Sequence, residues 1–400
     1  MLSERETWLS FLEYKKSGGH ISKSEEEELE IFIKNEKYID SADYFKRGGV
    51  FSVPEAVQVN KSFSDKKRTV FKFDDGEKII QKMLAFLLLK YDYIFCDNLY
   101  SFRQNMGVKK AVKSLVFHKE ISKMYSYKLD ISDYFNSVSA ELLLPQLKSV
   151  LEGEERLYKL IEDMLLNPYA IIDGEKVRIK KGILAGSPLS GFLANLYITD
   201  LDRYFYESGV LYTRYSDDII FFSETEEELK THIDYVNAFL NKYRLNINEN
   251  KVFITKPDEK WSFLGFSYTD GVIDISNISK QKLKKKMRRK ARALLRWKNK
   301  KNAEPDRAVS AFIRHFNKKL YSNPVNNEIT WCRWYFPIIN TADSLKEIDS
   351  YMQQCIRYIA TGSYNKSSFA FTYEDMKELG YVTLVNRYYA FKNEGRLFNE

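Results

Sequence analysis

Two carboxylates, Asp217 and Asp218, stand side by side between two short runs whose residue types suit β-strands. Tyr212-Thr213-Arg214-Tyr215 precedes them and Ile219-Ile220-Phe221-Phe222 follows. The pair therefore falls at the tip of a hairpin, and its second strand is apolar enough to be buried on both faces. Neighbouring Asp side chains repel, whereas hard oxygen ligands are what a divalent cation such as Mg²⁺ binds, usually through one or two carboxylates plus substrate phosphates. A plain polar turn is the competing reading, because Asp is a good turn residue.

A third carboxylate is placed by alternation. In the strand-like run Met124 to Ser132, Tyr125, Tyr127, Leu129 and Ile131 fall on one face, and Ser126, Lys128 and Asp130 on the other. Asp130 leaves the strand on its polar side, near its end, where it can meet the hairpin pair across an antiparallel sheet. A helix or turn cap is the alternative use. Between the acidic sites, Gly182-Ile183-Leu184-Ala185-Gly186-Ser187-Pro188 opens a helix, with Leu189, Phe192, Leu193, Leu196 and Tyr197 on one side. A glycine-rich turn running into a helix permits close approach of backbone to a ligand.

The elements that must position these groups are readable around them. Residues 1–50 are expected to be helical, with Trp8, Phe11 and Leu12 on one face and Ser24 beginning a second helix. Val50 to Val59 and Thr69 to Phe73 read as a hairpin with a cationic tip, Lys61 to Arg68. A helix from Gly76 to Lys90 carries Ile79, Ile80, Met83, Leu84 and Leu87 toward a core.

Composition narrows the class. No apolar run approaches the roughly 20 residues of a spanning helix, the N-terminus lacks an apolar signal core, and three scattered cysteines fit a reduced, cytoplasmic protein without a zinc site. The net charge of +8 is local: 13 Lys or Arg and no acid lie between Ile275 and Ala303, and without them the chain would be acidic. Leu283, Met287, Ala291, Leu294 and Leu295 form the apolar stripe of that helix. Such a patch points to a polyanion, with a merely solvated basic face as the alternative.

Taken in order, Leu129-Asp130-Ile131-Ser132-Asp133-Tyr134-Phe135, Gly182 to Tyr197, Tyr215-Ser216-Asp217-Asp218, Leu245-Asn246-Ile247 with Lys251, and Phe263-Leu264-Gly265-Phe266 resemble the reverse transcriptases. The nearest likeness is to bacterial ones: group II intron, retron and stand-alone phage-defence enzymes. Lys66-Lys67-Arg68 and Ser101-Phe102-Arg103 match segments of their fingers. The resemblance implies an α+β right-hand polymerase fold, with an N-terminal helical extension (1–50), fingers and palm (51–275) and a helical thumb (276–400). It also implies an RNA-directed DNA polymerase using two Mg²⁺ ions, or Mn²⁺ in their place.

Residue by residue, the resemblance makes Asp130 and Asp217 metal ligands, joined by the Ile131 carbonyl, and Asp218 the completing acid. Phe135, five positions after Asp130, becomes the steric gate against a ribose 2′-hydroxyl, with a core Phe as the alternative. Lys66 and Arg68 meet the triphosphate; Gly186 and Ser187 line the nucleotide path. Arg103 and Phe263, Leu264 and Gly265 contact nucleic acid, the last three as a primer grip. Lys251 is a proton donor for pyrophosphate or else structural. Lys284, Lys285, Arg288, Arg289 and Arg292 of the basic helix are expected on the nucleic-acid backbone. The implied partners are an RNA template, a structured non-coding RNA, with deoxynucleoside triphosphates and a DNA product, in antiviral defence and with no membrane. Three departures stand out: Ala185 replaces the Gln of many relatives, no clear Val-Thr-Gly triplet of the retron type lies downstream, and no Cys/His-rich nuclease segment of the mobile-intron type is present. Template-independent or protein-primed synthesis, and a non-catalytic RNA-binding module, are the alternative functions.

Overall fold

The computed structural model describes residues 1–18, 21–60, 67–167, 169–179, 182–321 and 330–394, which divide into two compact units, Met1–Asp258 and Glu259–Glu400.

In the first unit three helices lead: α1 (Arg5–Ser17), α2 (Lys23–Lys34), begun by the Ser22 side chain accepting from Glu25 N–H, and α3 (Lys37–Lys46). They are not a separate appendage. Trp8 and Phe11 are buried in the same core as the rest of the unit, and Phe11 lies 5.5 Å from Phe86, ring to ring. Phe86 belongs to α4 (Asp75–Leu88), which buries Ile80, Met83, Leu84 and Leu88 much as its spacing requires. Before it, β1 (Glu55–Asn60) and β2 (Lys67–Lys72) pair antiparallel. The tip residue Lys66 lies outside the described residues; Arg68 is described only as backbone, opposite Val59.

Next come α5 (Val108–Val116), β3 (Tyr125–Asp130), the single turn α6 (Tyr134–Ser137), α7 (Ala140–Val150) and α8 (Glu155–Leu166). The hairpin β4 (Tyr169–Ile172) and β5 (Glu175–Arg178) extends the β1–β2 sheet through β1, in the order β2-β1-β4-β5. Then α9 (Ser190–Tyr197) and α10 (Thr199–Glu207) precede β6 (Tyr212–Tyr215) and β7 (Asp218–Ser223). A capping box at Thr225 and Glu228 starts α11 (Glu226–Lys242), and β8 (Phe253–Thr255) completes an antiparallel sheet of order β6-β7-β3-β8. β7 is interior to this sheet and is covered by α11, so Ile219 to Phe222 are essentially solvent-free, as the unbroken apolar run requires.

The second unit holds a three-stranded sheet, β9 (Trp261–Phe263), β10 (Phe266–Thr269) and β11 (Val272–Ile275). Its helices are α12 (Asn277–Lys301), α13 (Pro305–Leu320), α14 (Trp331–Tyr335), α15 (Asp343–Thr361), α16 (Tyr373–Glu378) and α17 (Leu384–Glu394). The three strands were expected with the palm, yet they fold with the helices. Phe266 packs 5.0 Å from Tyr335, ring to ring, and the Asn340 side chain bonds Ile273 N–H and Gly271 C=O. No helix among the described residues is long and apolar enough to cross a membrane.

Candidate active site

Asp130, the last residue of β3, stands directly opposite Asp218, the first residue of β7. Opposite residues of an antiparallel pair point to one face with Cβ atoms about 4.5–5.5 Å apart, so the two carboxylates share a site. Asp217 is beside them in the two-residue turn Ser216-Asp217 that joins β6 to β7. Its carbonyl accepts from the Ile131 N–H at 3.0 Å, which ties the turn to the end of β3.

That turn is strained and heavily braced. Ser216 has φ 60°, a left-handed conformation that a residue with a side chain adopts at a cost. Its N–H donates to Ser101 Oγ at 2.8 Å, and its carbonyl accepts from Arg214 Nη1 at 3.4 Å. Ser101 is locked in turn: its hydroxyl donates to Asn195 Oδ1 at 3.2 Å, and Asn195 Nδ2 donates to its carbonyl at 2.7 Å. Arg214 is wholly buried and forks onto Asp202 of α10, with Nε at 2.7 Å and Nη2 at 2.5 Å. The Tyr212 hydroxyl donates to the same carboxylate at 2.8 Å.

Electrostatically the site is overloaded with negative charge. Burial, then the charges of Asp218 and Asp130, pushes the Asp217 carboxyl up to about 6. Asp130, nearly solvent-free, takes Lys251 Nζ at 2.5 Å on one oxygen and Asn248 Nδ2 at 3.2 Å on the other. Burial acts to lower the Lys251 pKa, but the hydrogen bond to Asp130 and the charges of all three acids outweigh it, and the pKa is raised. The chain carrying Lys251 is fastened to the strand end: Ser132 N–H donates to Asn246 C=O and Asn248 N–H to Asp130 C=O, both at 2.8 Å.

Among the described residues no three Asp, Glu, His or Cys side chains converge closely enough to hold one ion as they stand, and Lys251 serves as the cation on Asp130. The donor set still suits Mg²⁺ or Mn²⁺. It is all oxygen, and three carboxylates lie together at one end of the sheet.

A family model described as reverse transcriptase (RNA-dependent DNA polymerase) matches residues 59–268, over half of the chain. The chain belongs to the reverse transcriptase family. Its fold is accordingly the α+β right-hand polymerase class. The Escherichia coli retron Ec83 reverse transcriptase is 24% identical over 160 residues, covering 37% of this chain and 49% of the relative. Among solved structures, apo telomerase from Candida tropicalis is matched at a TM-score of 0.47 and 10% identity, over 88% of this chain and 65% of that one. The same telomerase truncated from its C-terminal domain gives 0.44 and 14%, over 56% and 55%. The chain thus spans about half the length of the curated relative it matches.

Within this reverse transcriptase the structure gathers Asp130, Ile131, Asp217, Asp218 and Lys251, as expected from their order along the chain. Phe135 is half-buried in α6, to which the left-handed Asp133 (φ 47°) turns the chain, and it lies 6.0 Å from Phe102, ring to ring.

Other expectations need correction. Arg103 does not face nucleic acid: its guanidinium is buried, with Nε and Nη2 each 2.9 Å from Asp92 and Nη1 bonded to the carbonyls of Cys96 and Leu99. Gly186 (φ 107°) does admit a close backbone, but that of β2; an added Cβ would meet Val70 at 2.4 Å and Phe71 C=O at 2.9 Å. The Ser187 hydroxyl is buried and donates to Gln81 at 2.8 Å, so it braces α4 and is not offered to a nucleotide. Phe263 is fully buried within the second unit, and Leu264 and Gly265 (φ 49° and 90°) form the tight turn after it. That turn packs on its own helices, since a Cβ on Gly265 would meet the Tyr335 hydroxyl at 2.9 Å.

The basic helix is also only partly available. Glu347, brought alongside by α15, takes Lys280 at 2.5 Å and Lys284 at 2.6 Å. Lys298 donates to the Ile359 and Ala360 carbonyls at the end of α15. Lys284 is therefore an internal ion pair and not a backbone contact. Lys285, Arg288, Arg289 and Arg292 are exposed and, with Arg296, Asn299 and Tyr358, line one groove of about 700 Å³.

Sequence reasoning missed Asp202 and Asn248, and the bond by which Ser101 holds the acidic turn. A signal for the first existed: Asp202 sits at helical spacing with Ile198, Leu201 and Phe205, and Arg214 interrupts a run that otherwise reads as buried. Two opposite charges on buried faces imply each other.

Proposed function

We propose that this reverse transcriptase is an RNA-directed DNA polymerase that extends a 3′-hydroxyl with deoxynucleoside triphosphates. The observation that carries the reading is the register setting Asp130 opposite Asp218 with Asp217 in the adjoining turn. Asp130, Asp217 and Asp218, with the Ile131 carbonyl, would hold two Mg²⁺ ions, or Mn²⁺, which when bound supply charge neutralisation at the phosphates and a more acidic primer hydroxyl. The chain's own part is positioning. Rigid strands and the braced Ser216 turn keep the acids in register, and Lys251, hydrogen-bonded to Asp130, would donate a proton to the leaving pyrophosphate. Phe135, near the end of β3, acts as the gate against ribose, and Lys66 and Arg68 meet the triphosphate. The groove of Lys285, Arg288, Arg289 and Arg292 takes the template–product backbone.

The template we propose is a structured non-coding RNA and the setting antiviral defence; the likeness of the motifs to stand-alone phage-defence enzymes, and of the chain to a retron reverse transcriptase, supports this. The test is DNA synthesis by the purified chain on an added RNA template and primer, with the Asp217→Ala/Asp218→Ala double variant as control. Product complementary to the RNA, absent with the folded variant, is expected. Product unrelated to the RNA favours template-independent or protein-primed synthesis, and binding without turnover favours an RNA-binding module. Sequencing co-purified nucleic acid and comparing phage plating on cells with either form test template and setting.

A further inference from the structure

We propose that Phe102 is a positioning residue that holds the Phe135 ring against the nucleotide sugar, and so helps select deoxyribose over ribose. This rests on the polymerase reading above and adds a residue to it.

Phe102 is anomalous in three respects. It is about half exposed, although an apolar ring of this size gains from burial. Its φ of 54° lies in the left-handed region, a true outlier for a bulky residue outside a glycine turn. Both of its neighbours are immobilised: Ser101 is solvent-free and bonded to Asn195 and to the Ser216 N–H, and Arg103 is anchored on Asp92, Cys96 and Leu99. The strain is thus imposed from both sides, and its result is to display one ring.

What that ring meets gives the display a use. It stands edge-on to Phe135, 6.0 Å between centroids at 84°, the favoured geometry for an aromatic pair. Its base lies across the first turn of α9, over Gly191; a Cβ on Gly191 would come within 2.7 Å of Phe102 Cγ. Gly191 is helical, where alanine would ordinarily be preferred, so its missing side chain makes room for Phe102. Phe135 also meets the buried ring of Tyr134 edge-on, 5.8 Å between centroids. A gate discriminates only if its ring cannot yield, and Phe102 is the exposed wall that stops Phe135 from rotating away from a 2′-hydroxyl. The same segment braces the Ser216 turn through Ser101, so one bent stretch, Ser101-Phe102, touches both the acidic turn and the gate.

The experiment is competition of each deoxynucleotide against its ribonucleotide on one template, with a melting curve for every variant. Phe102→Ala is expected to raise relative ribonucleotide incorporation by about fivefold, with little change in melting because the ring is half exposed. Phe102→Tyr should restore the ratio. Gly191→Ala, which keeps Phe102 but displaces it, should raise ribonucleotide incorporation in the same direction. Phe102→Ala/Phe135→Ala should be no more permissive than Phe135→Ala alone. An unchanged ratio in active Phe102→Ala and Gly191→Ala, with Phe135→Ala permissive, overturns the role of Phe102 and leaves the polymerase reading intact. An unchanged ratio in Phe135→Ala overturns it as well. Absence of any deoxynucleotide incorporation by the wild-type chain overturns both readings.

Discussion

Arg214 and Asp202 form a solvent-free, two-point ion pair directly beneath the acidic turn, and the same guanidinium reaches the Ser216 carbonyl. The buried charge is satisfied by the Asp202 carboxylate and by the Asn195 and Ser216 carbonyls, which removes the penalty that an isolated buried ion would incur.

Removing one member should therefore be costly. Arg214→Met or Asp202→Asn is expected to destabilise the first unit by about 3–5 kcal/mol, because each leaves an unpaired buried charge. The apolar double replacement Arg214→Met/Asp202→Leu should recover part of that loss while activity stays low, since the Ser216 turn has lost a brace. Urea denaturation of the three variants, with a polymerase assay, checks this; single variants as stable as wild type would refute it.

Ionisation of Asp217 gives a pH dependence of defined sign. A carboxyl whose pKa is raised on folding, here from 3.8 to about 6 by burial and two neighbouring acids, favours the fold when protonated. That contribution is complete below the unfolded value and is lost as pH climbs through about 6. Without divalent metal, the chain should lose roughly 2 kcal/mol of stability from this group between pH 4 and 7. Asp349, also raised to about 6 by burial and bonded to the Leu384 and Val385 N–H groups, adds a loss of the same sign in the second unit. Asp217→Asn should flatten the first component in melting curves taken across that range. Mn²⁺ titration should show affinity falling as pH drops below 6, since the ion must displace a proton.

Lys251 holds one oxygen of Asp130, a carboxylate that would also help hold a metal. Lys251→Met should therefore tighten Mn²⁺ binding by up to about fivefold in the absence of nucleotide, the worth of a partly exposed ion pair. Turnover should fall in the same variant if Lys251 protonates pyrophosphate. Calorimetric Mn²⁺ titration beside single-turnover kinetics separates the two effects, and weaker Mn²⁺ binding would contradict the first.

The basic groove makes a prediction that distinguishes residues on one helix. Changing Lys285, Arg288, Arg289 and Arg292 to Gln should weaken duplex binding and flatten its salt dependence, each lost phosphate contact removing about 0.9 from the slope of log K against log salt. Lys284→Gln should leave the slope unchanged, because Glu347 already holds that side chain. Binding isotherms at several salt concentrations decide it. Equal effects from both variants would mean the Glu347 pair opens on nucleic acid.

The local pattern placed the three acids at strand ends, while a plain turn or a cap stayed open for them until the motifs were read together. Strand alternation assigned Asp130 to the polar face of β3, and the apolar run after Asp218 required an interior strand; both are properties of neighbours along the chain. Family resemblance then named positions but overreached at Arg103, Ser187 and Phe263, and the charge pattern overreached at Lys284. Each carries the residue type of a ligand contact, yet each is claimed inside the fold: Ser187 by Gln81 and Lys284 by Glu347, both far away in sequence, and Phe263 by its own unit's core. For Arg103 the claim comes from Asp92, nearby in sequence but brought round by the fold.

Periodicity and residue type determine which face a side chain leaves, since that depends on one strand or one helix. They do not determine what arrives at that face. Only the tertiary structure decided that Asp202 neutralises Arg214, that Asn248 and Lys251 close on Asp130, and that a strained Phe102 is displayed beside Phe135. Those contacts join residues from 12 to 121 positions apart. The energy of a charge or a ring depends on distance and solvent access at the end of folding, which no local stretch of sequence contains.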